Sequence, residues 1–405
     1  VIEYIIKLKA LKNLFITLVL LAFCSINTNA QWIKTYCPLG GQTNCLAVTD
    51  SNIFAGTQDS GVYRSSNYGN TWVRIDTGLK HSGISALAIS DSNIFAGTQD
   101  SGMYISSNFG NTWTLLNNGL PTNKTVTAIA ISDTNIFVAT YGKGIYKSSN
   151  NGQLWTAVNN GLGNAYVMSL IAYGDTLFAG TELGPLYMSI NNGSSWDNAN
   201  TGIPANLTVS SFAKSGNILF AGISDGYMFI SSNNGSSWDT TGLPRHGDVN
   251  AIAVHGDTLL AGTWIGGVIV SYDTGITWMS DNIGLTDTTV RALAISGKYM
   301  FAGTDSGGVW RMSIPVSGIN ELKNNESYIL TYPNPATDEI NVIGKQLTVN
   351  SIEIFNLLGE KVYSSPITDY RSSSFIININ GISDGMYIMK IMTENGVIEK
   401  KFIKE

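Results

Sequence analysis

The sequence predicts an all-β protein: a seven-bladed β-propeller of four-stranded blades closed by an N-terminal strand, then a C-terminal immunoglobulin-like β-sandwich. Three observations predict it. An apolar phrase recurs seven times at spacings of 40 to 42 residues, an eight-residue phrase recurs six times, and the last eighty or so residues contain neither. The composition agrees, with 43% hydrophobic residues, only 13% charged residues and 43 glycines in 405 residues. Such a chain suits short strands joined by tight turns rather than helices.

The apolar phrase reads NIFAGT (52–57), NIFAGT (93–98), NIFVAT (135–140), TLFAGT (176–181), ILFAGI (218–223), TLLAGT (258–263) and YMFAGT (299–304). A period near 41 with four short strands per unit is a propeller signature. In the second unit the strands, lettered A to D outward from the axis, are 84–90, 93–98, 102–106 and 112–117. Alternating apolar residues and β-branched or aromatic residues mark them. The seventh unit stops after strand C (307–314), whereas QWIKTY (31–36) aligns with the strand D phrase TWVRID (71–76). The N-terminal segment is therefore expected to complete the last blade, which removes the exposed edges of an open array.

The eight-residue phrase joins strands C and D: SSNYGNTW (65–72), SSNFGNTW (106–113), SSNNGQLW (148–155), SINNGSSW (189–196), SSNNGSSW (231–238) and SYDTGITW (271–278). Asn-Gly at 151–152, 192–193 and 234–235 predicts a two-residue hairpin turn. The polar positions are expected to satisfy turn backbone, and each Trp to fill the wedge between blades. The structural set is Ser65, Asn67, Gly69 and Trp72, then Asn108, Gly110 and Trp113, Asn150, Gly152 and Trp155, Asn191, Gly193 and Trp196, Asn233, Gly235 and Trp238, and Asp273, Gly275 and Trp278. The pattern resembles the Asp-box of BNR-like, sialidase- and sortilin-type propellers, S-x-D-x-G-x-T-W, with Asn for Asp in five of six copies. That resemblance implies a structural role on the face away from any ligand.

Residues 1–30 read as a secretory signal peptide, with Lys7, Lys9 and Lys12 ahead of the apolar run LFITLVLLAF (14–23) and small polar residues up to Ala30. Losing those lysines and Glu3 takes the formal charge from −6 to −8, which offers no electrostatic footprint for nucleic acid or an anionic membrane. No transmembrane segment is expected in the mature chain. Cys37 and Cys45 flank the ring seam and are candidates for a disulfide in an oxidising compartment. Two cysteines cannot form a four-thiolate zinc site, and His81, His246 and His255 lack metal-ligand spacing. No metal or cofactor is expected.

A polar linker (315–327) leads to a small sandwich over 328–405, with strands including 339–344, 351–357, 361–365, 374–379, 386–391 and 397–403. The segments YPNPATDEINV (332–342), IEIFNLLGEKV (352–362), GMYIMKI (385–391) and EKKFIKE (399–405) look like the C-terminal sorting domain of the type IX secretion system of Bacteroidota. The resemblance implies export across both membranes, with the type IX machinery as partner, and a secreted or outer cell-surface location.

Loops B–C and D–A should share the face opposite the octets, and departures from the repeat mark candidate site residues there. Eight of nine tryptophans hold structural positions, whereas Trp264 alone lies in a B–C loop. Tyr141, Lys143 and Tyr227 are likewise off-pattern, and the D–A side supplies Tyr166, Arg245, His246 and Arg291. Such an aromatic platform with polar neighbours suits a sugar ring or a peptide. The alternative is a glycoside hydrolase of the endoglucanase or xyloglucanase kind, because Asp-box propellers include such enzymes. Sialidases use three arginines, and only Arg245 and Arg291 reach this face. A carboxyl pair at hydrolase spacing would come from Asp59, Asp100, Glu182, Asp225, Asp287 and Asp305, yet Asp59 and Asp100 occupy identical TQDSG turns. Xyloglucanase-like enzymes also place two propellers around a cleft. The favoured reading is a module that binds a glycan or a surface protein, with no catalytic residue assigned, as in the related photosystem-assembly type of propeller.

Overall fold

The computed structural model describes residues 31–35, 41–80, 83–122, 125–256, 258–314, 328–332, 336, 338–345, 349–356, 359–366, 374–393 and 396–404. The expected signal peptide, Cys37 and the linker lie outside the described residues. The chain divides into two compact units, Val1–Pro315 and Val316–Glu405.

The first unit is a multi-bladed β-propeller. Its described residues form seven four-stranded antiparallel sheets, six of which run in sequence order from the inner strand outward. The first contains Thr43–Thr49, Asn52–Thr57, Val62–Ser65 and Val73–Arg74 as strands A to D. Each strand A packs against the strand A of the next sheet, and Val290–Ser296 of the seventh returns to Thr43–Thr49 of the first. In the seventh sheet the outer strand is Ile33–Lys34, paired with Gly308–Ser313 so that Ile33 faces Arg311 and Lys34 faces Trp310. Trp32 is 1% exposed there and donates its Nε1–H to the Asp281 carbonyl at 2.7 Å.

The repeated apolar phrase is strand B, and its pattern explains the packing. Phe54, Phe95, Phe137, Phe178, Phe220, Leu260 and Phe301 are all fully buried, each burial contributing roughly 1.5–3 kcal/mol. The small residue two positions later lets the next sheet approach. A Cβ on Gly97 would fall 2.3 Å from Val126 Cγ1, and one on Gly56 would fall 2.6 Å from Ile84 Cγ2. Cys45 is half-buried as a residue, but its sulfur is enclosed over Gly56 beside Ile84. Burial pushes its thiol up to about 12, against the lowering effect of a backbone hydrogen bond at Gly56. It is a free cysteine among the described residues.

The octets differ from the expected two-residue hairpin. Strand C of the third sheet ends at Ser148 and strand D begins at Thr156, so Asn151 and Gly152 form a left-handed pair (φ 54° and 81°) inside a longer loop. The loop is held by side chains rather than by a tight ladder. In the second copy the Gly110 amide donates to Ser106 Oγ at 2.8 Å, Ser106 Oγ donates to Asn108 Oδ1 at 2.9 Å, and the Thr112 amide donates to the same Oδ1 at 2.9 Å. The indole then ties sheets together, since Trp113 Nε1 donates to the Ile75 carbonyl of the preceding sheet at 2.6 Å. Trp155, Trp196 and Trp238 reach Leu116, Val158 and Ala199 in the same way.

Trp278 departs from this rule and donates to Gly275 within its own turn at 3.1 Å. The loop ahead of it is also shorter: Trp and the following loop glycine stand six residues apart in Trp72–Gly78 but four apart in Trp238–Gly242.

The second unit has a three-stranded sheet, ordered Tyr328–Tyr332, Glu339–Lys345, Ser374–Asn378, and a four-stranded one, ordered Lys361–Pro366, Val349–Asn356, Gly385–Thr393, Gly396–Lys404. Both are antiparallel. They share one core, in which Ile340, Val342 and Ile377 of the first meet Ile352, Ile354, Met389, Ile391 and Phe402 of the second.

Candidate ligand-binding face

The face is built on a defect repeated in every sheet. Pairing between strands A and B slips at the second residue of strand A, between Thr43/Cys45, Ile84/Ala86, Val126/Ala128, Val167/Ser169, Val209/Ser211, Val249/Ala251 and Val290/Ala292. A bulge re-aims the extra side chain. The residues so placed are Asn44, Ser85, Thr127, Met168, Ser210, Asn250 and Arg291. Most of them bridge to the next sheet: Asn44 Nδ2 donates to Ile84 O at 2.9 Å, Ser85 Oγ to Val126 O at 2.6 Å, Thr127 Oγ1 to Val167 O at 2.6 Å and Asn250 Nδ2 to Val290 O at 3.0 Å. Where Met168 cannot, the adjacent Ser169 donates to Val209 O at 2.6 Å.

Arg291 does something else. Its Nε donates to Asp305 Oδ1 at 2.6 Å, and its guanidinium lies 5.0 Å from the Trp264 ring. Trp264 remains 44% exposed, with its neighbour Ile265 more so. The chain around Trp264 is closely fitted, because its amide donates to Asp248 O at 3.0 Å and a Cβ on Gly247 would fall 3.2 Å from the Trp264 Cβ. Arg245, in the same D–A loop, stacks 4.0 Å above Tyr227. Asp248 Oδ1 accepts the Asp225 amide at 3.0 Å, which holds Asp225 in the left-handed region (φ 73°). Tyr227, Arg245, His246, Trp264 and Arg291 thus form one arc across the fifth to seventh sheets.

Tyr141 belongs elsewhere. It packs edge-on against Tyr166 at 5.0 Å and donates its hydroxyl to Glu182 Oε2 at 3.1 Å. That hydrogen bond, with the charge of Glu182, raises its hydroxyl pKa. Lys143 is exposed in the same B–C loop. No ring contact or side-chain hydrogen bond among the described residues joins this group, on the third and fourth sheets, to the Trp264 arc.

The loop-face carboxylates are mostly engaged. Asp287 Oδ2 accepts the Ser306 amide at 2.7 Å and the Gly307 amide at 2.8 Å, while Oδ1 accepts the Thr289 amide at 3.1 Å. Partial burial pushes its pKa up, but these donors outweigh it and hold the group below the usual value. Asp305 is paired with Arg291, and Glu182 with Tyr141. Asp59 and Asp100 line a groove of about 380 Å³ with Arg74, Asp76 and Lys80, between the first two sheets. No cluster of three or more His, Cys, Asp or Glu could hold a metal ion among the described residues.

Residues 330–405 match the model of the secretion system C-terminal sorting domain, and residues 185–293 match that of the DUF6242 beta propeller domain. The chain is a β-propeller with a type IX sorting domain. It is accordingly a secreted or cell-surface protein directed by the type IX route. No helix among the described residues is long and apolar enough to cross a membrane. No curated protein matches the chain.

Solved propellers resemble it at low identity. PorZ of Porphyromonas gingivalis, described as an essential bacterial surface component of the type-IX secretion system, is 15% identical over 90% of this chain and 59% of its own, with a TM-score of 0.55. The GH74 xyloglucanase of Xanthomonas campestris is 18% identical over 78% of this chain and 60% of its own, with a TM-score of 0.58. YCF48, solved bound to D1 peptide, is 14% identical over 71% of this chain and 98% of its own, with a TM-score of 0.58. The chain spans three fifths or less of PorZ and the xyloglucanase, and at these identities the likeness is one of fold.

Proposed function

We propose that the chain is a seven-bladed propeller, residues 31–314, with Asp-box-like octets as scaffold and an N-terminal strand closing the ring. A signal peptide (1–30), a linker (315–327) and an immunoglobulin-like sorting domain (328–405) complete it. The propeller binds an extracellular glycan or surface protein on its B–C and D–A loop face. A Cys37–Cys45 bridge would staple the seam, and the test is the thiol count of the unreduced, unfolded protein.

The observation that carries the binding reading is Trp264, a tryptophan left on a loop and half in solvent, braced from below by Arg291 and flanked by Arg245 on Tyr227. An exposed aromatic with a cation on one ring face keeps the other face for a ligand. Tyr141, Tyr166 and Lys143 share no ring contact or side-chain hydrogen bond with this arc among the described residues, which favours a second, separate contact for them. Hydrolysis is disfavoured, because Asp287, Asp305 and Glu182 are each committed to hydrogen-bond donors of the protein itself.

The test is gel retardation of the full chain in extracellular polysaccharides and capture against outer-surface proteins, with reducing ends counted in the same samples. Retardation or capture that is weakened at least ten-fold by Trp264→Ala, without reducing-end release, is the expected result. Sugar release abolished by Asp305→Asn or Asp287→Asn would make the chain a hydrolase.

A further inference from the structure

We propose that the mouth of the central channel takes the carboxylate-bearing end of an acidic sugar, a uronic acid residue, with Arg291 as the carboxylate grip. The inference rests on the loop-face reading and names its ligand. A cavity of about 240 Å³ is lined by Asn44, Ser85, Gln99, Ser210, Asn250 and Arg291. These residues come from the first, second, fifth, sixth and seventh sheets, and in a ring of sheets only the axis is common to all five.

The chemistry left over at that mouth is specific. Ser85 and Ser210 spend their hydroxyl hydrogens on carbonyls of the next sheet, Val126 O at 2.6 Å and Val249 O at 2.8 Å, and Asn250 Nδ2 spends one of its two N–H groups on Val290 O at 3.0 Å. The hydroxyl lone pairs of Ser85 and Ser210 remain as acceptors, and Asn250 keeps both its Oδ1 and its second N–H. A floor of mixed acceptors and amide donors suits a ligand whose groups both donate and accept, as sugar hydroxyls do.

Arg291 is the one charged residue among the seven bulge positions. Asp305 takes its Nε, and Nη1 and Nη2 make no hydrogen bond among the described residues. Two parallel N–H donors on a planar group match a carboxylate bidentately. Trp264 supplies the apolar wall beside it, as a sugar ring face requires. The cavity is smaller than the roughly 300–1,000 Å³ of ordinary small-molecule sites, which fits a terminal residue rather than an internal one.

The test is titration calorimetry of the full chain with a short oligogalacturonide, its methyl ester and a neutral galacto-oligosaccharide. The acid should bind, and the ester and neutral sugar should bind about 10–100-fold more weakly, the range expected for a charged hydrogen-bonded pair. Arg291→Gln should erase that preference. Asp305→Asn, which removes the competing carboxylate, should tighten the acid several-fold, a gain that a misfolded variant would not give. Equal binding of acid and ester, lost in Trp264→Ala but unchanged in Arg291→Gln, overturns the inference and keeps the loop-face reading. Binding of none of the three overturns the inference, and the polymer and protein panel then decides the broader reading.

Discussion

Ser106 is a small residue with a large share of one turn. Its buried hydroxyl accepts the Gly110 amide and donates to Asn108, which in turn accepts the Thr112 amide. Ser106→Ala would leave the buried Gly110 amide without a partner, at a cost of about 1–3 kcal/mol. Asn108→Asp should be near neutral. In the sixth copy Asp273 already occupies that position, where Thr277 Oγ1 donates to it at 2.5 Å, whereas Asn108 Nδ2 donates to Thr112 Oγ1 at 2.9 Å. The hydroxyl reverses its role and the loop survives the exchange. Urea midpoints of the two variants check this, and a destabilised Asn108→Asp with an unaffected Ser106→Ala would contradict it. The octet chemistry was legible in sequence because it repeats. The loop length was not, since Asn-Gly signals a left-handed pair and says nothing of how far the flanking strands extend.

At the scale of elements, the sheets are tied by indole bonds near the octets and by bulge side chains at the axis. The seam between the seventh and first sheets is unlike the others. Arg291 does not bridge to Thr43, and the buried Thr43 Oγ1 has no hydrogen-bond partner among the described residues. That seam is tied instead by the closing strand and its neighbour, since Trp72 Nε1 donates to Thr35 Oγ1 at 3.1 Å and Arg311 Nη1 to Asn70 Oδ1 at 2.9 Å. Trp32 anchors the closing strand to the sixth sheet in a core with Leu260, Met300 and Met312. Deleting residues 31–35 should therefore lower stability by several kcal/mol, since losing a buried Trp alone costs roughly 3–5, and should bare the edge of Gly308–Ser313. A thermal scan with light scattering reads both effects, and a melting point within a degree of the parent would refute the strand's role. The closing strand could be read from the alignment of QWIKTY with TWVRID. The bulge column was missed, although Asn44, Ser85, Thr127, Met168, Ser210, Asn250 and Arg291 stand at one repeat position. A bulge leaves the apolar alternation of strand A largely intact, so the column carries no signal in the hydrophobic pattern.

At the scale of the whole molecule, the sequence-level candidates divide. Trp264, Tyr227, Arg245 and Arg291 share an arc, and Tyr141 with Tyr166 stands apart. Which residues break the repeat is legible in the sequence, but their grouping follows from which sheets adjoin. The tail is a separate folded unit with its own core, so its removal should spare the propeller and abolish only export. In a host with the type IX system, a chain lacking residues 330–405 should accumulate inside the outer membrane in folded form, and fractionation with protease protection reads this. Normal surface delivery without the tail would contradict the sorting role.

The central claim is that the octet face is scaffold and the loop face is functional. One paired measurement tests it most directly: ligand affinity at a temperature where all variants are folded, for the parent, Trp264→Ala and Trp113→Phe. The account predicts that Trp264→Ala loses binding at an unchanged melting point, whereas Trp113→Phe melts earlier and binds as the parent does. Binding lost through Trp113 and kept without Trp264 would place the function on the other face.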